Sequence, residues 1–111
     1  MSPKSSLGEF EHHVILAALR LGADAYTTSI LTELEERTGR EVSAAAVYIA
    51  LRRLEQAGLV TSRLKEGTEL GERRQRRYVQ VTPAGIALTR DARRRLLSLW
   101  DGLTMVTGGR A

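Results

Sequence analysis

Cysteine is absent from the chain. Without thiols there is no disulfide framework, no thiolate nucleophile and no Cys-based zinc site, so the cytoplasm is the expected compartment. Aromatic side chains are scarce too: three Tyr, one Trp and one Phe leave Leu, Ile, Val and Ala to fill the core. Long apolar runs are missing. The stretch Val14–Leu19 falls far short of the ~20 residues a membrane span needs, and the opening MSPKSSLGEF lacks the apolar region of a signal peptide. No membrane partner is expected. Enzyme signatures are lacking as well. There is no G-x-S-x-G and no pair of carboxylates with a plausible cleft, and GTELG at 67–71 has neither the Lys nor the helix of a phosphate-binding loop. His12 and His13 are neighbours, and adjacent helical side chains diverge by ~100°, which suits a shared metal ion poorly. No catalytic residue, metal or cofactor is expected.

What remains is a 111-residue chain with 42% apolar and 27% charged residues, a globular composition. At this length roughly two-thirds of the unfolded surface is buried, enough for one small core. The formal charge of +4 is unevenly spread. Residues 1–58 carry six basic and eight acidic side chains, whereas residues 59–111 carry eleven and five. Fifteen of the seventeen cations are Arg, the cation suited to bidentate recognition of phosphate and guanine.

Apolar residues recur at Phe10, Val14, Ala17, Ala18 and Leu21, a helical period that stops at Gly22. A second helix carries the stripe Ile30, Leu31 and Leu34, with Thr27 or Thr28 as its expected cap and Gly39 as its left-handed stop. Ser43 then caps a third helix over 44–57, ended by Gly58. Val47, Ala50, Leu51 and Leu54 share its inner face; Ala44, Ala45, Tyr48 and Arg52 share the outer one. From Leu59 the pattern alternates. LVTSRLK and RYVQVT flank a glycine-bearing loop with Arg73, Arg74, Arg76 and Arg77, which reads as a basic hairpin. Thr82-Pro83 starts a last helix running to Leu99–Leu103.

The expected fold is mainly α with a small β-hairpin: a winged helix-turn-helix of three helices and a two-stranded wing, followed by a C-terminal dimerisation helix. Residues 1–6 read as a flexible tail, 7–82 as the DNA-binding domain, 83–103 as the dimerisation helix and 104–111 as a frayed end. The major groove, about 12 Å wide, admits one helix. Ala44 and Ala45 let the third helix approach, while Ser43 and the helix N-terminus suit a phosphate. Tyr48 is assigned mainly to phosphate or sugar, and Arg52 to a base edge or a backbone oxygen. Arg73, Arg74, Arg76 and Arg77 would grip phosphates or an adjacent minor groove. Thr28, beside the start of the second helix, completes the expected DNA-binding set.

SAAAVYIALRRLEQAGLVTSR followed by RRQRRYVQVTPAG resembles the PadR family of bacterial transcription regulators. The family pattern falls on Ser43, Val47, Tyr48, Leu51, Leu54, Gly58, Leu59, Val60, the wing arginines, Tyr78, Thr82, Pro83 and Gly85. LGEFEHHVILAALRLGADAYTTSI is similar to the family's first helix and its Ala-Tyr connector. The Gly that often follows that Tyr is Thr27 here. The resemblance spans roughly residues 7–100. It implies a homodimer joined through C-terminal helices, a repressor acting on a pseudo-palindromic duplex operator and, in some relatives, relief by a small planar aromatic effector near that interface.

The residues support the dimer independently. A helix with Leu96, Leu97, Leu99, Trp100 and Leu103 has more apolar surface than so small a domain covers alone, and an isologous two-fold contact is the common solution. Phe10, Leu96, Leu97, Trp100 and Leu103 are the candidates for the dimer interface or an effector site. Arg93, Arg94 and Arg95 point in three directions and read as a solvated face. The rival from another class is a winged-helix protein-interaction module anchored by Tyr48 and Arg52, against which the arginine density of the wing argues; RNA binding by the wing is a third reading.

Overall fold

The computed structural model describes residues 7–66 and 75–103. Helix α1 covers Glu9–Leu21, α2 Thr27–Thr38, α3 Ala44–Gln56 and α4 Pro83–Trp100; strands β1 and β2 cover Val60–Glu66 and Gln75–Val81. A single 3-10 turn, Gly22–Asp24, links α1 to α2. The expected winged helix-turn-helix with an added C-terminal helix is the fold that forms.

Local chemistry places each helix. The Glu11 carboxylate reaches back to accept a hydrogen bond from the Gly8 N–H at 3.0 Å, satisfying a donor that the helix leaves open. The start of α2 differs from expectation, since neither Thr27 nor Thr28 caps it. Tyr26 is the N-cap residue, and Ser29 Oγ accepts from the Tyr26 N–H at 2.9 Å while donating to the Asp24 carbonyl at 2.6 Å. The reason is tertiary: Tyr26 is extended and forms an antiparallel bridge to Tyr78, so the helix can begin only after it. Gly39 ends α2 at φ +70°, as the left-handed stop requires. The Ser43 hydroxyl accepts from the Ala46 N–H at 3.0 Å and opens α3.

Val14, Ile15, Ile30, Val47, Leu54 and Val60 are fully buried, each worth about 1.5–3 kcal/mol in removal from water. Helix α1 is central and touches α2, α3, α4 and β2. The antiparallel hairpin runs in register from Val60 opposite Val81 to Glu66 opposite Gln75. Val60 and Val79, on the same face, anchor its base in the core. Thr82 fastens α4 to this base: its hydroxyl donates to the Gly58 carbonyl at 2.8 Å and accepts from the Gly85 N–H at 3.1 Å. A Cβ on Gly85 would run into the Leu59 carbonyl oxygen and stand 2.8 Å from Val81 Cγ1, so only glycine permits this approach.

Beyond that junction α4 loses its cover. Gly85 and Thr89 are its only buried residues among those described. Leu96, Leu97, Leu99 and Trp100 are exposed, Leu99 by 73% and Trp100 by 40%. Leu103 lies just past the helix and is also exposed. The expected tails, 1–6 and 104–111, lie outside the described residues, as do Arg73 and Arg74.

Candidate nucleic-acid interface

The two faces of α3 divide as its periodicity requires. Val47, Ala50, Leu51 and Leu54 are buried, while Ala44, Ala45, Tyr48 and Arg52 are exposed. At the entry, Ser43 spends an acceptor on its own helix, and a hydroxyl that accepts there can still donate outward. Tyr48 and Arg52 behave as a pair. Arg52 Nη1 donates to Tyr48 Oη at 3.4 Å, and the guanidinium carbon lies 6.0 Å from the ring centroid. Their i, i+4 spacing makes them neighbours along the outer stripe. Sequence reasoning passed over Ile49, 48% exposed beside them, and Arg53, also exposed. Neither lies on the outer stripe, yet the exposed arc of α3 is wide enough to include both. Thr28 is exposed on the first turn of α2.

Strand alternation separates the two described wing arginines. Arg77 pairs across the sheet with Leu64, and Arg76 with Lys65, which puts them on opposite faces. Arg77 is exposed. Its Nη1 donates to Ser62 Oγ at 3.1 Å, and Ser62 Oγ donates to Glu55 Oε2 at 2.8 Å. That chain ties the wing to the last turn of α3. Arg76 is half-buried, with its guanidinium carbon 4.5 Å from the centroid of the Tyr26 ring. Tyr26 meets Tyr78 edge-on at 5.3 Å, and Lys65 Nζ stands 5.4 Å from the Tyr78 centroid. The sequence places Arg76 and Tyr78 on one strand face; nothing in it brings Tyr26 there.

The α4 residues do not gather with Phe10 within one chain. Phe10 is half-buried against the core and shares a groove with Ala46, Ile49 and Arg53. Leu96 and Leu99 instead border a cavity of about 420 Å³ between α1 and α4, with His12, His13, Leu88 and Arg95. The difference comes from helix geometry, because Phe10 and His12 point to different sides of α1. In that seam His12 Nε2 is buried without a hydrogen-bond partner. Burial, and then the neighbouring His13, holds its pKa below the ordinary 6.5. Of the basic run, Arg94 and Arg95 pair with Asp91 on their own helix, Arg95 at 2.8 Å, in keeping with a solvated face. Among the described residues no group of three or more His, Asp or Glu is placed to hold a metal ion, and no helix is long and apolar enough to cross a membrane.

A helix-turn-helix with an outward small-residue face, followed by a hairpin wing tied to its second helix, defines a winged-helix DNA-binding regulator. The family model described as the transcriptional regulator PadR-like family matches residues 15–91, and the chain belongs to that family. It is a transcriptional regulator rather than an enzyme. Solved structures agree. A PadR family transcriptional regulator from Eggerthella lenta is 25% identical, with 86% of this chain and 84% of that one covered, at a TM-score of 0.63. Two more share the fold: a PadR-like transcription factor from Bacteroides fragilis, at 21% identity, 87% and 89% coverage and a TM-score of 0.66, and a PadR family transcription regulator from Clostridium difficile, at 20%, 89% and 95%, and 0.63. Comparison with curated proteins found no significant match.

Proposed function

We propose that the chain is a homodimeric repressor that sets α3 in the major groove of a pseudo-palindromic duplex. The observation that carries this reading is the outer face of α3, where Ser43, Ala44, Ala45, Tyr48 and Arg52 are all exposed. The two alanines allow close approach, Ser43 with the helix N-terminus takes a phosphate, and the Tyr48–Arg52 pair reaches the duplex further along. Arg73, Arg74 and Arg77 supply sequence-independent grip from the wing. The uncovered α4 residues pair with those of a second copy, which sets two half-sites about 34 Å apart. A small planar aromatic effector relieves repression by occupying the interface near Trp100, and quenching of that single Trp reads its binding.

Titration of labelled duplex at several salt concentrations tests the DNA contact. If the dimer neutralises ~6–8 phosphates, log K falls with log salt at a slope near −5 to −7. Arg52→Ala weakens binding by ~1–3 kcal/mol at one base position if Arg52 reads a base edge, and uniformly if it holds phosphate. Absence of binding to any duplex at low salt, or binding indifferent to salt, overturns the proposal. Sedimentation that shows a monomer at tens of micromolar removes the dimer.

A further inference from the structure

The two described wing arginines do different work, and the difference deepens the reading under Proposed function, on which its DNA arm rests. We infer that Tyr26 is a wing-positioning residue, and that Arg76 serves as its intramolecular clasp rather than as a phosphate contact. Four side chains carry this. Arg76 lies over the Tyr26 ring at 4.5 Å, Tyr26 meets Tyr78 edge-on at 5.3 Å, and Lys65 lies 5.4 Å from Tyr78. The backbone supports the same contact: Tyr26 bridges Tyr78, and the Val79 N–H donates to the Ala25 carbonyl at 2.9 Å.

The consequence follows from where these groups sit in the chain. Tyr26 is the residue immediately before α2, the first helix of the helix-turn-helix. Arg76 and Lys65 are cross-strand partners well beyond the buried base of the hairpin. A two-stranded hairpin is marginal without further support, and among its described residues the core contacts lie at its base. The Arg76–Tyr26 contact, between two half-buried residues and so of the stronger kind, extends that support outward, and exposed Lys65 beside Tyr78 adds less. They fix the angle between the wing and the α2–α3 unit from one face, while Arg77, Ser62 and Glu55 fix it from the other. With the wing held from both faces, Arg77 meets the backbone in a set register with α3. The loss of a clasp therefore acts on DNA through geometry.

Hydrogen exchange of the wing amides tests this without DNA. Tyr26→Leu keeps an apolar side chain and the backbone bridge but removes the aromatic face. It is expected to speed exchange of the amides over 63–66 and 75–78 about three- to ten-fold, with α1 and α3 unchanged; Tyr26→Phe restores the original rates. Arg76→Met, which keeps the stem and removes the cation, is the second route should Tyr26→Leu fail to fold, and it speeds the same amides. In duplex binding, Arg76→Ala weakens the wild type but adds almost nothing on the Tyr26→Leu background. Unchanged wing exchange in Tyr26→Leu or Arg76→Met overturns the inference. So does an equal loss from Arg76→Ala on both backgrounds, the result expected of a direct phosphate contact. If the unaltered protein binds no duplex, the DNA reading fails, and the exchange rates still decide the clasp.

Discussion

Helices α3 and α4 are both amphipathic, yet among the described residues only α3 has its apolar stripe buried along its length. Four of its apolar side chains are buried, three of them larger than alanine, and they pack it against α1, α2 and β1. Its exposed face carries the small Ala44 and Ala45 together with the larger Tyr48, Ile49 and Arg52. Helix α4 is longer, at 18 residues, and closely packed only in its first turns. Its apolar stripe continues through Leu96, Leu97, Leu99 and Trp100 into solvent. Amphipathicity alone therefore does not separate a helix whose apolar face is buried from one whose apolar face is left exposed. The separation lies in how closely a second element packs on the stripe: α1 stands across a cavity from Leu96 and Leu99 without burying either.

Stability measurements can break this contrast. Leu54→Ala removes a fully buried side chain and is expected to lower unfolding free energy by ~2–5 kcal/mol, read from urea titration. Gly85→Ala follows at ~1–3 kcal/mol, because the added Cβ meets the Leu59 carbonyl and α4 must shift from the hairpin base. Leu99→Ala is expected to change the unfolding of dilute monomer by no more than ~0.5 kcal/mol, while it weakens self-association measured by sedimentation. A Leu99 effect as large as that of Leu54 in dilute monomer would erase the distinction between the two helices.

The smallest effect sharpens the comparison at the seam. His12 faces Leu7, Leu88, Leu96 and Leu99 across the α1–α4 cavity, with Glu9, His13 and Arg95 as the charged or titratable groups around it. Its pKa in the folded chain lies below the ordinary 6.5, so its neutral form belongs to the fold. The stability this confers is present above pH 6.5 and declines as pH falls from there through the depressed value. His12→Phe is expected to flatten that part of the stability profile. An unchanged profile would show that His12 titrates alike in folded and unfolded chains.

Much of the fold was legible because its signals are local. Ser43, Gly39, Gly58 and Thr82-Pro83 mark helix ends through hydrogen bonds or backbone angles that involve near neighbours. The inner stripe of α3 follows from periodicity alone. The start of α2 departs from the local pattern because a distant strand, through Tyr78, holds Tyr26 extended. Within one chain Phe10 lies in a groove with Ala46, Ile49 and Arg53 of α3, apart from the α4 residues that share its apolar character. In the sequence Arg76 and Arg77 are equivalent members of a run of four arginines; strand pairing gives them opposite faces and different neighbours.

By itself, then, the sequence determined the order of the elements, the inner and outer faces of α3, the basic wing and the surplus of apolar residues on α4. These depend on spacing and on the chemistry of adjacent residues. Only the tertiary structure decided that Tyr26 meets Tyr78, that Phe10 lies in a groove with α3 residues, and that, among the described residues, α4 is buried at its start and exposed thereafter. Each of those depends on contacts between residues far apart in the chain, whose distance and orientation no local pattern records.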